Sequence, residues 1–249
     1  MTERYFVASR IAGPAATLAA AEAHHLAHVM RAKPGDRVVL FDGTGGEYVA
    51  EVARVDRSTV QLAVLSHDPV ERALGVAITV ACSLPKGDRQ RWLIEKLTEL
   101  GCTSVVPLSS ERGVAQPTAE ALERLRRTVI EASKQCGRNR LMQFDAPRVA
   151  REFFTQPSAG ACRLIAHPEA AGSLRDVLSE RASPQNAPVD YVLAIGPEGG
   201  FTDDEAQLAT GAGWTAVNLG APILRVETAA VAFAAAVALM ATKRPSQTP

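Results

Sequence analysis

From Val76 onward the chain alternates short apolar runs with helix-length segments, and this alternation constrains the fold more than any other feature. The apolar runs are VAITVACSL, TSVVPL, ACRLIAH, YVLAIG and WTAVNLG. Helical segments such as DRQRWLIEKLTELG and TAEALERLRRTVIEASKQCG lie between them, and each of these two ends at a glycine, the residue that most often terminates a helix. Strands that alternate with helices predict an α/β layer with a largely parallel sheet.

The first part of the chain has a different character. The runs RVVLF, EYVAEVARV and TVQLAVLS are strand-like, and a single short helix is predicted in EAHHLAHVM. We therefore expect a small β-barrel-like domain over residues 1–70, a linker over 66–75 and a second domain over 76–249.

Composition sets limits on partners and location. Lys+Arg and Asp+Glu are both 27 in 249 residues, so any nucleic-acid site must come from local clustering rather than from net charge. The four cysteines contain no C-x-x-C pair, and the N-terminus MTERYFVASR has no apolar signal core. The longest apolar run, AAVAFAAAVALMA, is too short to span a bilayer. We expect a cytoplasmic protein with reduced cysteines and no membrane partner.

A glycine-rich loop follows one predicted strand in IGPEGGFTDDE (195–205). Thr202 and Glu205 form the pattern of a capping box, so a helix is predicted to begin there. The carboxylates around this helix start oppose a phosphate ligand, and the chain has neither G-x-G-x-x-G nor a Walker A motif. The glycines would instead let backbone approach a neutral or cationic ligand, although a plain strand-to-helix turn is the alternative.

A second loop, LGAPILRVETA (219–229), repeats this arrangement after the last predicted strand. Ligands of open α/β sheets bind at the carboxyl ends of the strands, so the two loops could hold one flat, uncharged ring between them.

At these two loops the sequence resembles the bacterial ribosomal small-subunit methyltransferase E family. LPKGDRQRWLIEKLTELG, EASKQCGRNR and HHLAHVMRAKPGDRVVLFDG are similar to its other signatures, in the expected order. The resemblance implies a SPOUT-type second domain with a deep trefoil knot, a PUA-like RNA-binding first domain, and a homodimer. It also implies S-adenosylmethionine as methyl donor and N3 of a uridine in 16S ribosomal RNA as acceptor, in free RNA or in the assembled small subunit.

The resemblance also implies the residues of the cofactor site. They are His167, Ile195, Gly196, Pro197, Glu198, Gly200, Leu219, Gly220, Ile223, Leu224 and Ala229. The chain departs from the family at Pro222, which stands where the family loop usually has an arginine. No role of that arginine can be carried over.

Basic residues cluster locally despite the neutral total, and we expect them to contact RNA. They are Arg31, Lys33, Lys86, Arg89, Lys134, Arg138 and Arg140, with the amide of Asn139 between the last two. Cations also favour a helix C-terminus for dipole reasons, so some of these side chains could be only solvated caps.

Methylation of uracil N3 is mainly a matter of alignment, but N3 must lose its proton. An arginine facing O2 or O4 would stabilise the resulting anion, and the candidates are Arg225, Arg138 and Arg140. Glu198 or Glu227 could orient an arginine or accept the proton. The sequence does not decide which group is the base.

The sequence also raises the question of a metal site and leaves two alternative functions open. His24 and His28 lie one helical turn apart, but no carboxylate or cysteine completes a ligand set, so no metal is expected. The chain could also be a SPOUT methyltransferase that modifies another RNA position, or a non-catalytic RNA-binding protein of ribosome assembly that kept the fold.

Overall fold

The computed structural model describes residues 3–113, 117–157, 160–181 and 189–241. The chain divides into two compact units. The first contains residues 1–73 and 130–141, and the second contains residues 74–129 and 142–249. The segment 130–141 therefore belongs with the N-terminal unit although it lies within the stretch we assigned to the second domain.

The first unit is built on a five-stranded mixed sheet with the strand order β1-β3-β4-β5-β2. Its strands are β1 (Arg4–Phe6), β2 (Ala15–Ala19), β3 (Arg37–Phe41), β4 (Glu47–Val55) and β5 (Thr59–Asp68). The sequence predicted β3, β4 and β5 but missed β1 and β2, which are short. Strand β5 also extends into the segment that we expected to be a linker.

The predicted short helix of the first unit is present in two parts. A short helix α1 (Ala20–His24) continues into a π-helical turn over His25–Val29. Leu26 from this turn packs in a core cluster with Tyr5, Leu40 and Val52, all of which are almost fully buried.

The second unit contains the predicted parallel sheet, with the order β12-β10-β11-β6-β7-β8 and with β9 paired to β7. The strands are β6 (Ile78–Cys82), β7 (Ser104–Ser109), β8 (Gln143–Phe144), β9 (Arg148–Val149), β10 (Cys162–Ala166), β11 (Tyr191–Ile195) and β12 (Thr215–Val217). All ladders between them are parallel. The α/β class is thereby confirmed, and the trefoil knot stays a prediction.

Helices alternate with these strands. They are α2 (Asp88–Glu99), α3 (Ala119–Cys136), α4 (Ala150–Thr155), α5 (Leu174–Arg181), α6 (Asp203–Gly211) and α7 (Val226–Ala241). Gly101 and Gly137 follow α2 and α3 with φ of +82° and +76°, which explains why these two helices end where the glycines predict. In the described part of the chain no helix is long and apolar enough to cross a membrane.

The core of the second unit lies on both sides of its sheet. Phe154 packs against both Phe201 and Trp214, and Tyr191 contacts Phe233 of α7. The four cysteines carry free thiols, and burial, with a smaller contribution from Cys102, raises the pKa of Cys82 to about 12. The thiol of Cys82 therefore stays protonated at neutral pH.

Candidate active site

Three adjacent strands, β10, β11 and β12, end on the same edge of the parallel sheet, and a cleft lies there. We call it the first cleft. Its wall comes from the residues after β10, from the loop 196–202 and from the loop 218–225, and the start of α7 closes it. The lining residues are Ala166, His167, Pro168, Ile195, Gly196, Pro197, Glu198, Gly200, Leu219, Gly220, Ala221, Pro222, Ile223, Leu224, Val226 and Ala229.

Every residue that we predicted for the cofactor lines this cleft. Four of the other lining residues, Ala166, Pro168, Ala221 and Pro222, adjoin predicted ones along the chain, and this adjacency was the signal that could have found them. Val226 follows Arg225, which was predicted for catalysis. Pro222, the departure from the family loop, also lines the cleft and adds an apolar ring to its wall.

Gly196 is the position where the first loop folds back on itself. A Cβ added there would lie 2.8 Å from the backbone nitrogen of Phe201 and 2.9 Å from the carbonyl carbon of Gly200. The Gly200 N–H donates to the Pro197 carbonyl at 2.8 Å, which closes a tight turn over Glu198 and Gly199. The loop therefore exposes backbone rather than side chains along its inner edge.

The start of α6 is fixed as the capping box predicts. The Thr202 hydroxyl accepts from the Glu205 N–H at 3.2 Å, and the Glu205 carboxylate accepts from the Thr202 N–H at 2.9 Å. Glu205 is 1 % exposed and also accepts the Glu111 N–H. Of the carboxylates in this segment, Glu205 is thus used within the fold, whereas Glu198 lines the cleft.

Arg89 bridges two carboxylates beside the first cleft. Its Nη1 lies 3.5 Å from Glu198 Oε1 and 3.5 Å from Glu227 Oε1. The Glu227 side chain is 9 % exposed, and its Oε2 is buried without a hydrogen-bond partner among the described residues. Arg89, which we expected to contact RNA, therefore holds the first turns of α2 and α7 and the glycine loop together.

Arg225 lies between two residues that line the first cleft, Leu224 and Val226, and it is exposed. Its carbonyl accepts the Ala229 N–H at 2.9 Å, which starts α7. Within the described ranges its guanidinium takes part in none of the ion pairs, so no carboxylate there balances its charge.

A second cavity of about 210 Å³ adjoins the first cleft. We call it the second cleft. Lys86, Gly87 and Gln90 line it, and Pro197 and Glu198 belong to both clefts. Of these residues we predicted Lys86 for RNA, and Pro197 and Glu198 for the first cleft.

The predicted RNA-contacting residues after α3 lie in different environments within the first unit. Arg138 is 7 % exposed and Asn139 is fully buried. The Asn139 amide accepts from Arg4 Nη2 at 2.6 Å and donates to the Val70 carbonyl at 2.9 Å. The expectation that Asn139 offers its amide to RNA is therefore not met, because both groups are used within the unit.

The Lys134 side chain also contacts other residues of the first unit. Its Nζ lies 2.9 Å from Glu22 Oε1 and stands over the ring of Tyr5. Burial, together with Glu3 and Glu22, raises the pKa of Tyr5 to about 12, so this hydroxyl stays neutral. Arg140, by contrast, keeps 59 % of its side chain exposed while its Nε lies 3.2 Å from Glu71.

Four other basic and histidine residues of the first unit, Arg31, Lys33, His24 and His28, are exposed. Arg31 has a positive φ of 55°. The rings of His24 and His28 are 4.9 Å apart, as their one-turn spacing predicts. Over the residues described, no group of three or more His, Cys, Asp or Glu side chains could hold a metal ion.

The comparisons with known proteins match both parts of the chain. The profile of an RNA methyltransferase domain matches residues 72–238, and that of an RNA methyltransferase PUA domain matches residues 18–65. The first of these covers more than half of the chain.

Several relatives share most of the sequence. Ribosomal RNA small subunit methyltransferase E of Synechocystis sp. is 36% identical over 219 residues, which are 86% of this chain and 69% of the relative. The protein of the same name from Mycobacterium tuberculosis is 31% identical over 239 residues, with 93% and 88% covered.

Solved structures agree with the fold over nearly the whole length. A methyltransferase from Legionella pneumophila in complex with SAM has a TM-score of 0.84 at 30% identity, with 96% of this chain and 97% of that chain covered. Ribosomal RNA small subunit methyltransferase E from Neisseria gonorrhoeae, bound to S-adenosyl methionine, has a TM-score of 0.84 at 30% identity, with 96% and 98% covered. Together with the matched domains and the predicted motifs, these likenesses show that the chain belongs to the ribosomal RNA small subunit methyltransferase E family.

Proposed function

We propose that this protein transfers a methyl group from S-adenosylmethionine to N3 of a uridine in 16S ribosomal RNA. The observation that carries the proposal is the first cleft, which brings together all the residues predicted for the cofactor. Two relatives of the same fold were crystallised with this cofactor. The uridine and its N3 atom come from the family resemblance of the motifs.

The first cleft fits the chemistry of the cofactor. S-Adenosylmethionine carries an adenine, a ribose and a sulfonium cation but no phosphate. Backbone and apolar side chains line most of the cleft, and Glu198 is its acidic residue. A neutral ring can lie against such a wall, and a carboxylate at its edge favours a cation over a phosphate.

The size of the first cleft limits how much of the cofactor it encloses. Its volume is about 110 Å³, below the roughly 300–1,000 Å³ of typical small-molecule sites. It can enclose only part of the cofactor, while the rest of the molecule would lie along the loop 218–225. Ile223 of this loop is 84 % exposed, so its apolar side chain is free to cover a bound ring.

When bound, S-adenosylmethionine supplies an electrophilic methyl carbon. The work of the chain is to hold uracil N3 in line with that carbon and to favour loss of the N3 proton. Arg225, exposed at the mouth of the cleft, is proposed to stabilise the negative charge on O2 and O4. Glu198 and Glu227 remain the two candidates for the proton acceptor, and Arg89 fixes both of them.

The proposal assigns RNA contacts to exposed cations. Arg31, Lys33 and Arg140 in the first unit and Lys86 in the second have side chains that solvent reaches. Such contacts would position the ribosomal RNA through its phosphates. Residues 1–70 would act as the PUA-like RNA-binding domain and residues 76–249 as the methyltransferase domain, working in the cytoplasm where ribosomes are assembled.

We further propose a homodimer that uses the last turn of α7. Leu239 is 78 % exposed and Met240 is 47 % exposed, although α7 is apolar along most of its length. A partner subunit would remove these side chains from water.

The test uses a strain from which the gene is deleted. Its 16S ribosomal RNA is digested to nucleosides, which are identified by mass spectrometry. One N3-methyluridine should be missing, and it should reappear when the gene is restored. Calorimetry on the purified protein should detect binding of S-adenosylmethionine. If the protein binds S-adenosylmethionine but the deletion strain keeps its N3-methyluridine, a SPOUT methyltransferase that modifies another RNA position is favoured. If the protein does not bind S-adenosylmethionine, a non-catalytic assembly protein is favoured.

A further inference from the structure

The second cleft lies where the target base would have to enter. It is formed by the residues that follow β6, by the end of β7 and by the glycine loop after β11. Pro197 and Glu198 line both clefts. The two cavities are therefore direct neighbours.

The chemistry of methyl transfer requires such a neighbour. Reacting atoms must approach to about 3–3.5 Å before transfer, so the acceptor ring must lie directly beside the site of the methyl donor. Two other cavities of the described chain, one lined by Glu22 and Lys134 and one lined by Asp56 and Arg57, belong to the first unit. The second cleft belongs to the second unit and shares lining residues with the first.

Its size suits one pyrimidine ring. Because a water molecule occupies about 30 Å³ of liquid, a cavity of about 210 Å³ has room for roughly seven water-sized groups. A pyrimidine base with its exocyclic atoms fills a space of that order. Gly87 has no side chain, and no atom lies within 4 Å of the position that a Cβ would take there, so the space beside it is open.

The lining residues can hold a flat ring and recognise its edge. Leu84, Pro85 and Pro107 provide apolar surface against which a ring can pack. The Lys86 ammonium is a donor, and among the residues that the structure describes it takes part in no ion pair. Gln90 contributes an amide that can donate or accept.

We propose that the second cleft binds the uracil ring of the target nucleotide and that the Lys86 ammonium donates to O4, the carbonyl oxygen that cytosine replaces by an amino group. The inference rests on the methyl-transfer function proposed above and adds the residue that selects the base. Uracil presents carbonyl oxygens on both sides of N3, whereas cytosine presents an amino group on one side. An ammonium facing that position favours uracil, because it leaves the amino group of cytosine without an acceptor.

The same contact assists the reaction. A cation at a carbonyl oxygen stabilises the charge that develops there as N3 loses its proton. Lys86 in the second cleft and Arg225 beside the first cleft would therefore both stabilise the negative charge of the same imide. Arg89 does not share this role, since its guanidinium is held between Glu198 and Glu227.

The experiment compares Lys86→Met with wild-type protein, using small ribosomal subunits from the deletion strain as substrate. Methionine keeps the length of the side chain and removes its charge. We expect unchanged affinity for S-adenosylmethionine by calorimetry and a single-turnover rate lowered by on the order of a hundredfold, as for loss of one oxyanion donor. Arg175→Met on α5 removes an exposed charge from the same unit and should behave as wild type.

A second readout does not depend on activity. RNA that carries 5-iodouridine at the methylated position is irradiated with the protein in the absence of cofactor, and the cross-linked peptide is identified by mass spectrometry. A cross-link within residues 83–90 is expected, and it should weaken in Lys86→Met.

Three outcomes separate this inference from the proposed function. If wild-type protein methylates no uridine, the proposed function fails. If it methylates normally but Lys86→Met has the wild-type rate, or the cross-link lies elsewhere, the base pocket is wrong and the function stands. If Lys86→Met instead weakens cofactor binding tenfold or more, the second cleft holds part of the cofactor and the inference is overturned.

Discussion

At the scale of single residues, two arginines beside the first cleft have different surroundings and therefore different expected roles. Arg89 lies between Glu198 and Glu227, so its charge is largely balanced within the fold. Arg225 is exposed, and no ion pair formed by it is found in the described part of the chain. Its charge is thus available to a substrate.

Replacement of Arg225 by alanine should leave both folding and cofactor affinity nearly unchanged. The exposed side chain contributes little to stability, whereas its loss would remove one donor from the uracil anion. We expect single-turnover methylation at saturating RNA to fall by on the order of a hundredfold. Wild-type turnover in a folded Arg225→Ala protein would remove this residue from the active site, and Arg175→Ala is the matched control.

The residues after α3 show what a local sequence pattern cannot reveal. Gly137 ends the helix as predicted, because a residue with positive φ is a property of the local chain. The burial of Asn139, by contrast, depends on Arg4 and on the Val70 carbonyl, which are far away in sequence. The ion pair between Arg89 and Glu227 is equally non-local, so spacing alone predicted neither contact.

At the scale of elements, the loop between β11 and α6 depends on close approach of its own backbone. Gly196→Ala would place a methyl group 2.8 Å from the Phe201 nitrogen, so the turn must open. We expect the loss of detectable S-adenosylmethionine binding in calorimetry together with a lower melting temperature.

Gly200→Ala is the comparison for that loop. No atom lies within 4 Å of the position of its Cβ, but its φ of +69° strains any residue with a side chain. We expect Gly200→Ala to lower the free energy of unfolding by about 1 kcal/mol through backbone strain. Cofactor binding should weaken less than in Gly196→Ala. Equal binding by Gly196→Ala and wild type would contradict the role of the tight turn.

Strand β4 carries a carboxylate that ties the first unit together. Glu47 pairs with Arg4 and Arg72. Burial alone would raise the pKa of Glu47, but hydrogen bonds and charge from Arg72 and Arg4 outweigh it and hold the pKa below its ordinary value of 4.5. Because the pKa is lower in the folded state, the stabilisation is complete above about pH 4.5 and is lost as the pH falls through the folded pKa.

Glu47→Gln should therefore lower the free energy of unfolding at pH 7 by about 1.5–3 kcal/mol, the range for hydrogen bonds to charged groups. The difference from wild type should shrink as the pH falls through the lowered pKa of native Glu47, since the native carboxylate is then protonated as well. Differential scanning calorimetry over this pH range measures both effects. Glu51→Gln on the same strand is the control, and a difference independent of pH would contradict the assignment.

At the scale of the whole molecule, the exposed end of α7 bears on the proposed dimer. Leu239→Arg should shift the protein to monomers in sedimentation velocity while the melting temperature changes little, because 78 % of Leu239 is exposed. Val237 is 1 % exposed inside its own unit, so a charge at that position would test folding rather than association. Leu65→Arg in the first unit is the control, and a wild-type monomer at micromolar concentration would rule out the dimer.

The discontinuous first unit has a consequence for the order in which the protein can be made. Residues 1–73 are completed by residues 130–141, so the strands of the first unit leave the ribosome well before Asn139 can accept from Arg4. More than fifty residues of the second unit are therefore synthesised before the contacts of the N-terminal segment can be completed. A gene cut at residue 75 would not separate two self-sufficient pieces, because the C-terminal fragment would take with it the segment that finishes the other unit.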